Sequence, residues 1–361
     1  MVKKIAKIIG IICATIVALI LIFCGILTIT EYKPKDIEPV NITQIKDTSG
    51  EKSPNVTQGN EMSIMIWNIG YGALGETADF FMDGGNSVYT ATEAEVKSNM
   101  DAIMNEIEAQ NPDIVMLQEV DEKSTRSRKV NEINMINDRF GDYYSSFAYN
   151  FKSLYIPYPL PPLGQMASGI MTLSTFEPNE ANRVKLPCPF SYPLRLCNLK
   201  RCLLISRFPV EGSDKELVIV NVHLEAYDSG EGKIAQTKML TEILQKEIAA
   251  GNYVIAGGDF NQTFSNIDQS LYPNQREGLW KPSLLDVNDF GEDLVCLSDP
   301  SSPTCRSLDQ PLAGYEGSDF QYYMIDGVIV SSNVEISSMN TINLGFKHAD
   351  HNPLMLRATL K

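Results

Sequence analysis

Residues 8–30 contain no charged side chain and are rich in Ile, Leu, Val and Ala. A run of this length is too apolar for a solvated surface helix and long enough to cross the hydrocarbon core of a bilayer. Lys3, Lys4 and Lys7 precede it and Glu31 follows it. The positive-inside preference therefore predicts a cytoplasmic N-terminus, with everything after residue 30 outside. The alternative is a cleaved signal peptide. The run is long for one, no small-residue cleavage site follows it, and the bulky Phe23 before Cys24 argues against lipoprotein processing. The chain thus divides into a basic N-terminus (1–7), a transmembrane helix (8–30), a stretch at 31–60 and a domain over 61–361. The 31–60 stretch is rich in Pro, Thr, Ser, Asn, Lys and Asp with little apolar periodicity, and is expected to be a mobile linker.

Beyond residue 60, short apolar runs alternate with longer segments of helical period. Residues 62–67, 114–118, 217–222, 253–256 and 327–330 read as buried strands. Thr92 and Glu95 have the spacing of a capping box, and Val96, Met100, Ile103, Met104 and Ile107 follow at helical intervals until Asn111-Pro112 ends them. Ile234 to Ile248 reads as a second helix, with Met239, Leu240, Ile243 and Leu244 inward. Alternation of this kind without a second linker predicts one α/β domain.

The formal net charge is −15, and residues 1–32 carry three Lys and one Glu, so the remainder carries −17. Such a surface repels polyanions at long range and lacks the basic stripe of a non-specific nucleic-acid binder. Five cysteines lie beyond the anchor: Cys188, Cys197, Cys202, Cys296 and Cys305. For a protein outside the cytoplasm, a Cys296–Cys305 disulfide and a second among the first three are expected. Their spacing matches no zinc pattern.

Each buried strand delivers a polar residue at or near its C-terminal end. These are Asn68, Glu119, His223, and the pair Asp259 and Asn261 in Gly257-Gly-Asp-Phe-Asn261. Asp326 stands just before a strand, and Asp350-His351 lies near the C-terminus. One such residue is usually a cap or a satisfied core group. The set together is rich in oxygen and free of Cys, which suits a hard cation such as Mg2+ or Mn2+. Such a cation neutralises charge on a phosphate, and a histidine beside a carboxylate exchanges a proton near neutral pH. These are the parts needed for water to attack phosphorus.

Trp67-Asn68-Ile69, Gln118-Glu119-Val120, Asn221-Val-His223-Leu, Gly258-Asp259-Phe-Asn261, Ile325-Asp326-Gly-Val and Asp350-His351-Asn-Pro resemble, in order, the motifs of the endonuclease/exonuclease/phosphatase family. Its members include DNase I-like nucleases, abasic-site endonucleases, inositol polyphosphate 5-phosphatases and neutral sphingomyelinases. The resemblance runs from about residue 61 to 361. It implies a four-layer α/β sandwich, with two mixed sheets face to face and helices outside. It further implies that Glu119, with Asn68, holds Mg2+ beside Asp350, and that Asp259 orients or activates the attacking water. Asn261 and His223 would contact the scissile phosphate. His351, paired with Asp326, would act as general acid/base or phosphate ligand. His348 matches no motif and reads as a surface residue.

Two stretches depart from the family pattern. Phe151 to Ser168, which includes Tyr155 to Leu163, is apolar, aromatic and Pro-rich; it is either a loop over the site that touches lipid or a rigid loop packed on its own domain. Residues 183–202 hold Arg183, Lys185, Arg195, Lys200 and Arg201, which would meet anionic headgroups or a phosphate, or form a solvated hairpin. The motifs speak to the reaction more than to the substrate. The anchor and the acidic charge favour a lipid or small phosphoester. The alternatives are an anchored nuclease acting on DNA or RNA and a catalytically inactive tethered binding domain. Nothing in the sequence points to a protein partner.

Overall fold

The computed structural model describes residues 2–46, 55–228 and 230–361. In chain order, α1 (Val2–Ile29) is followed by β1 (Ile37–Pro39), β2 (Ile42–Thr43), β3 (Glu61–Asn68), α2 (Glu93–Gln110), β4 (Ile114–Asp121) and α3 (Glu132–Arg139). Then come β5 (Tyr144–Ile156), β6 (Gly164–Ser174), β7 (Glu180–Lys185), β8 (Cys202–Pro209), β9 (Glu216–His223), α4 (Glu231–Ala249) and β10 (Tyr253–Asp259). The chain ends with β11 (Gln262–Phe264), β12 (Ser283–Leu285), β13 (Leu294–Leu297), β14 (Cys305–Arg306), β15 (Tyr322–Tyr323), β16 (Asp326–Ser331), β17 (Val334–Thr341) and β18 (Leu354–Leu360).

Two seven-stranded mixed sheets form, in the orders β17-β18-β3-β4-β6-β5-β2 and β1-β7-β8-β9-β10-β16-β13. Side chains alternate across each central strand, and the alternation builds the layers. Ile64 and Ile66 of β3 face Ile219, Ile255 and Val328 of the other sheet in one core, while Met65 and Trp67 face Val96, Met100 and Ile103 of α2 in a second. On the far side Val218, Val220 and Val254 pack against Leu240 and Leu244 of α4. The result is the four-layer α/β sandwich expected. Because the central strands are covered on both faces, their sequences read as near-continuous apolar runs rather than clean alternation. The Thr92–Glu95 capping box is present, and Asn111 closes α2 in the left-handed conformation.

Three expectations need correction. The stretch at 31–60 is not a free linker where it is described. Ile37–Pro39 pairs with β7 and Ile42–Thr43 with β5, so this segment covers an edge of each sheet and satisfies backbone groups that would otherwise be open. Val56 is also buried, in a bridge to Val210; residues 47–54 lie outside the described residues. The cysteines are free. Cys296 faces the core under α4 and Cys305 packs with Tyr323 and Ile325, so the two thiols lie in different cores and the short sequence spacing does not bring them together. The basic stretch at 183–202 is the long connection of the antiparallel β7–β8 pair, but it is not a free basic patch. Arg183 is buried and donates to the carbonyls of Tyr149 and Lys200, and Arg195 and Lys200 pair with Glu31 just beyond α1.

α1 is long and apolar enough to cross a membrane, and among its residues Leu27 is buried against the domain.

Candidate active site

The polar residues converge because the two sheets present their strand ends to one place. In the first sheet β18, β3 and β4 lie side by side. They carry Asn68 at the end of β3, Glu119 near the end of β4, and Asp350-His351 just before β18. In the second sheet, Asp259 at the end of β10 is in register with His223 on β9 and with Asp326 on β16. Each row alone is three neighbouring strand ends; stacking the sheets sets one row over the other. Gln118 Nε2 donates to Asn221 Oδ1 (2.8 Å), and Asn221 Nδ2 donates to the Met171 carbonyl (2.9 Å), tying the sheets together beneath the site.

The local backbone explains the motif residues. A Cβ at Gly257 would meet Ile66 Cδ1 at 2.4 Å, so glycine is what lets the sheets approach at β10. Glu119 and Asn261 hold φ of 57° and 52°, a conformation that costs non-glycine residues energy and marks functional positions. At Glu119 the pairing of β4 with β6 shifts between Leu117 and Val120, which turns this carboxylate out of the ladder.

Asp259 is the hub. Its Oδ2 accepts from Asn68 Nδ2 at 3.1 Å and lies 3.5 Å from His223 Nε2 and 3.9 Å from His351 Nε2. Its Oδ1 accepts from the Asn261 backbone N–H at 2.8 Å. Burial pushes its pKa up to about 7 against the pull of His351. His223 is held well below the ordinary imidazole value by burial and by Arg201, so it is neutral at pH 7, and its Nδ1 has no partner. His351 behaves oppositely. Burial opposes its charge, but Asp326 Oδ2 at 2.8 Å from Nδ1 lifts it well above the ordinary value. Two histidines that face the same Asp259 oxygen are therefore poised in different protonation states.

Glu119 Oε1 lies 3.4 Å from Asn68 Nδ2. Asp350 is buried, its Oδ1 has no hydrogen-bond partner, and burial pushes its pKa up to about 6 with Glu119 adding to the rise. A Cβ at Gly70 would meet that oxygen at 2.7 Å, so the chain leaves space beside it. A buried, unpartnered carboxylate oxygen facing a second carboxylate fits a cation. Asp259, Asp326 and His351, and separately Cys305, Asp350 and His351, also bring ligand atoms within 4.8 Å of one another. The first of these sets is already consumed by the Asp326–His351 hydrogen bond. The second contains a thiol whose pKa burial pushes up to about 12, a poor ligand for a hard cation.

The structure therefore gathers Asn68, Glu119, His223, Asp259, Asn261, Asp326, Asp350 and His351 in one site. His348 stays outside it, half-buried, its Nδ1 3.1 Å from Asn99 Oδ1. Two residues of the site escaped sequence reasoning. Arg126 stacks on Tyr71 at 3.6 Å and lies 3.5 Å from Glu119; its signal was a basic residue in the loop leaving β4. Arg201 is buried, with Nε and Nη1 unpartnered, beside Glu225; no local pattern separated it from its four basic neighbours.

The sequence profile described as "Endonuclease/Exonuclease/phosphatase family" matches residues 65–316. No curated protein matches the chain. Among solved structures, an endonuclease/exonuclease/phosphatase from Beutenbergia cavernae DSM 12333 is similar at 17% identity, with 83% of this chain and 72% of that one covered and a TM-score of 0.56. A family protein from Leptotrichia buccalis C-1013-b follows at 12% identity, 83% and 100% coverage and a TM-score of 0.52. TDP2 from C. elegans is similar at 16% identity, 84% and 76% coverage and a TM-score of 0.50. At these identities the neighbours speak to the fold. The profile spans most of the domain that carries the converging strand ends, and on that match the chain belongs to the endonuclease/exonuclease/phosphatase family.

Proposed function

We propose that this protein is a membrane-anchored, extracytoplasmic phosphoesterase that uses Mg2+ to hydrolyse a lipid or small phosphoester by in-line attack of water. The observation that carries the reading is the Asp259 hub. A carboxylate with a pKa about 7 sits between a neutral and a charged histidine, next to a second pair of carboxylates suited to a cation. A base is most effective when its pKa lies near the working pH.

In this reading Asp259 takes a proton from the water whose oxygen forms the new bond to phosphorus. Asn68 and the Asn261 amide hold that carboxylate in place. His223 Nε2–H and the free N–H of the Asn261 side chain, whose other hydrogen goes to the Leu224 carbonyl, donate to phosphate oxygens as charge develops there. His351, kept charged by Asp326, stabilises the same charge and returns a proton to the oxygen that leaves as the ester P–O bond breaks. Glu119, Asp350 and Asn68 would hold Mg2+ or Mn2+, which supplies positive charge to a phosphate oxygen. The three N-terminal lysines support the extracytoplasmic orientation.

A nuclease reading is less well supported, because Arg183 and Lys200, which could have guided a strand, are buried, and the exposed Arg195 is paired with Glu31. The test is turnover by the full chain in detergent, with Mg2+ or EDTA, on plasmid DNA, RNA, phospholipids and a chromogenic phosphodiester. Mg2+-dependent cleavage confined to lipids or the small diester is expected. Faster cleavage of DNA or RNA would establish the nuclease, and no turnover of any of these would favour the tethered binding domain.

A further inference from the structure

The end of the anchor is part of the wall of the active-site cavity. α1 does not simply lead into the domain; its last turns dock on it. The Phe23 ring meets Tyr155 edge to face at 6.2 Å, Leu27 is 5% exposed, and the Thr28 hydroxyl lies 3.4 Å from that of Tyr192. Beyond the helix, the Glu31 carboxylate is buried, 3.1 Å from Arg195 and 3.5 Å from Lys200. These contacts seat the domain on its own membrane helix at a defined place.

A cavity of about 680 Å3 runs from Asp259, Asp350 and His351 at one end to Phe23 and Leu27 of α1 at the other. This volume is within the range of sites that bury a whole small ligand. Between its ends the walls are apolar, with Phe81, Ile156, Leu163 and Leu196 among them. At the reacting end Arg201, 4% exposed, presents two nitrogens with no partner, and the nearest carboxylate oxygen, on Glu225, is 3.8 Å away and itself unpartnered. A buried guanidinium with open N–H groups beside His223 and Asp259 is suited to a phosphate oxygen. At the outer rim, Tyr158 and Leu194 are 72% and 64% exposed, and Leu160, two residues from Tyr158, and Tyr192, beside Thr28 of α1, are 88% and 52% exposed. Aromatic and aliphatic side chains exposed beside the end of a transmembrane helix are what a membrane interface accommodates.

We propose that the cavity is an acyl-chain site, and that the substrate is a phospholipid drawn from the leaflet in which α1 ends. Its phosphate meets Arg201 at the inner end, and its chain lies along the apolar walls to Phe23 and Leu27. Docking on the anchor then does two things. It turns the mouth of the site to the bilayer surface, and it completes the chain-binding wall with a piece of the anchor itself. Tethering also overcomes the repulsion that a domain of this acidity meets at an anionic surface. This inference rests on the phosphoesterase reading and names its substrate.

The experiment uses the full chain reconstituted into vesicles of mixed phosphatidylcholine, phosphatidylethanolamine and phosphatidylglycerol, with Mg2+. Phospholipid hydrolysis is followed by mass spectrometry, beside turnover of bis(4-nitrophenyl) phosphate. Wild type should cleave lipid of its own vesicle at least tenfold faster than an isotopically labelled lipid in protein-free vesicles. Leu163→Trp, which fills the cavity, and Leu27→Gln, which makes the anchor's wall polar, should each lose at least tenfold more lipid turnover than diester turnover. Arg201→Gln should lower both activities, and Arg201→Lys should restore part of both. If the diester is cleaved and the lipid is not, or if both wall variants lose the two activities in parallel, the acyl-chain proposal is overturned and the phosphoesterase reading stands. If neither is cleaved with Mg2+, the phosphoesterase reading itself fails.

Discussion

Mg2+ should raise the melting temperature of this protein by an amount set by Asp350 and by pH. Asp350 is buried with one oxygen unpartnered, and burial lifts its pKa to about 6. Without a cation, that carboxylate is more stable protonated in the fold than in the unfolded chain. Its contribution to stability is fully present below its unfolded pKa and is lost as pH rises through about 6, at a cost on the order of 3 kcal/mol by pH 7. A cation at 100 times its dissociation constant returns about 2.7 kcal/mol. For a domain of about 300 residues this is a rise of about 4 °C. Protons compete for the same oxygen. With the carboxyl at about 6, its ionised share falls from about nine-tenths at pH 7 to about one-tenth at pH 5, which weakens binding about tenfold and halves the shift. Asp350→Asn should therefore melt higher than wild type in EDTA at pH 7 yet gain little from Mg2+. Melts of the full chain in detergent, at pH 5 and pH 7 with EDTA or excess Mg2+, read all of this. An equal Mg2+ shift in wild type and Asp350→Asn, or a larger shift at pH 5 than at pH 7, would refute the reasoning.

Asp259→Asn keeps the side chain's volume while removing the base, so kcat on any turned-over phosphoester should fall about 10^2–10^4-fold, while the melting temperature at pH 7 should not fall, because the raised pKa of this buried carboxyl makes its ionised form costly to the fold there. Asp259→Ala should lose as much activity, and retention of a tenth of the activity in either variant would remove Asp259 from its role. Glu132 is fully buried, and burial, followed by the nearby Asp121 carboxylate, pushes its pKa well above the ordinary value. Its contribution is present at low pH and is lost as pH rises through its folded pKa. Between pH 5 and pH 9 the melting temperature of Glu132→Gln should thus fall less than that of wild type; parallel curves would count against this. Thiol titration of the denatured full chain, without reductant, should find all seven cysteines reactive, and a count of five or fewer would mean that a disulfide forms after all.

Much of the site was legible because its residues stand at strand ends, and strand ends are marked in a sequence by where an apolar run stops. Asn68, Glu119, His223 and Asp259 each follow such a run, and a strand's period of two brings Asp259 and Asn261 out together. The apolar helix α1 was legible for the same kind of reason, since its composition is uniform over its whole length. What the sequence did not hold was anything that depends on which distant segment lies alongside. The pairing of Ile37–Pro39 and Ile42–Thr43 with sheet edges needs edges supplied by β7 and β5, more than a hundred residues on. The separation of Cys296 from Cys305 depends on which core each strand faces.

Arg201 shows the division most clearly. In the sequence it is one of five basic residues within twenty positions, and nothing local distinguishes it. In the fold, Arg183, Arg195 and Lys200 are tied to backbone carbonyls and to Glu31, whereas Arg201 is buried beside His223 and Asp259 with two nitrogens that make no hydrogen bond. Residue type and periodicity determined that this chain has an N-terminal helix long and apolar enough to cross a membrane, a two-sheet α/β domain and a set of polar groups at strand ends. Only tertiary packing decided their partners, their protonation and the docking of α1 against the cavity, because burial and desolvation are set by neighbours far away in the chain.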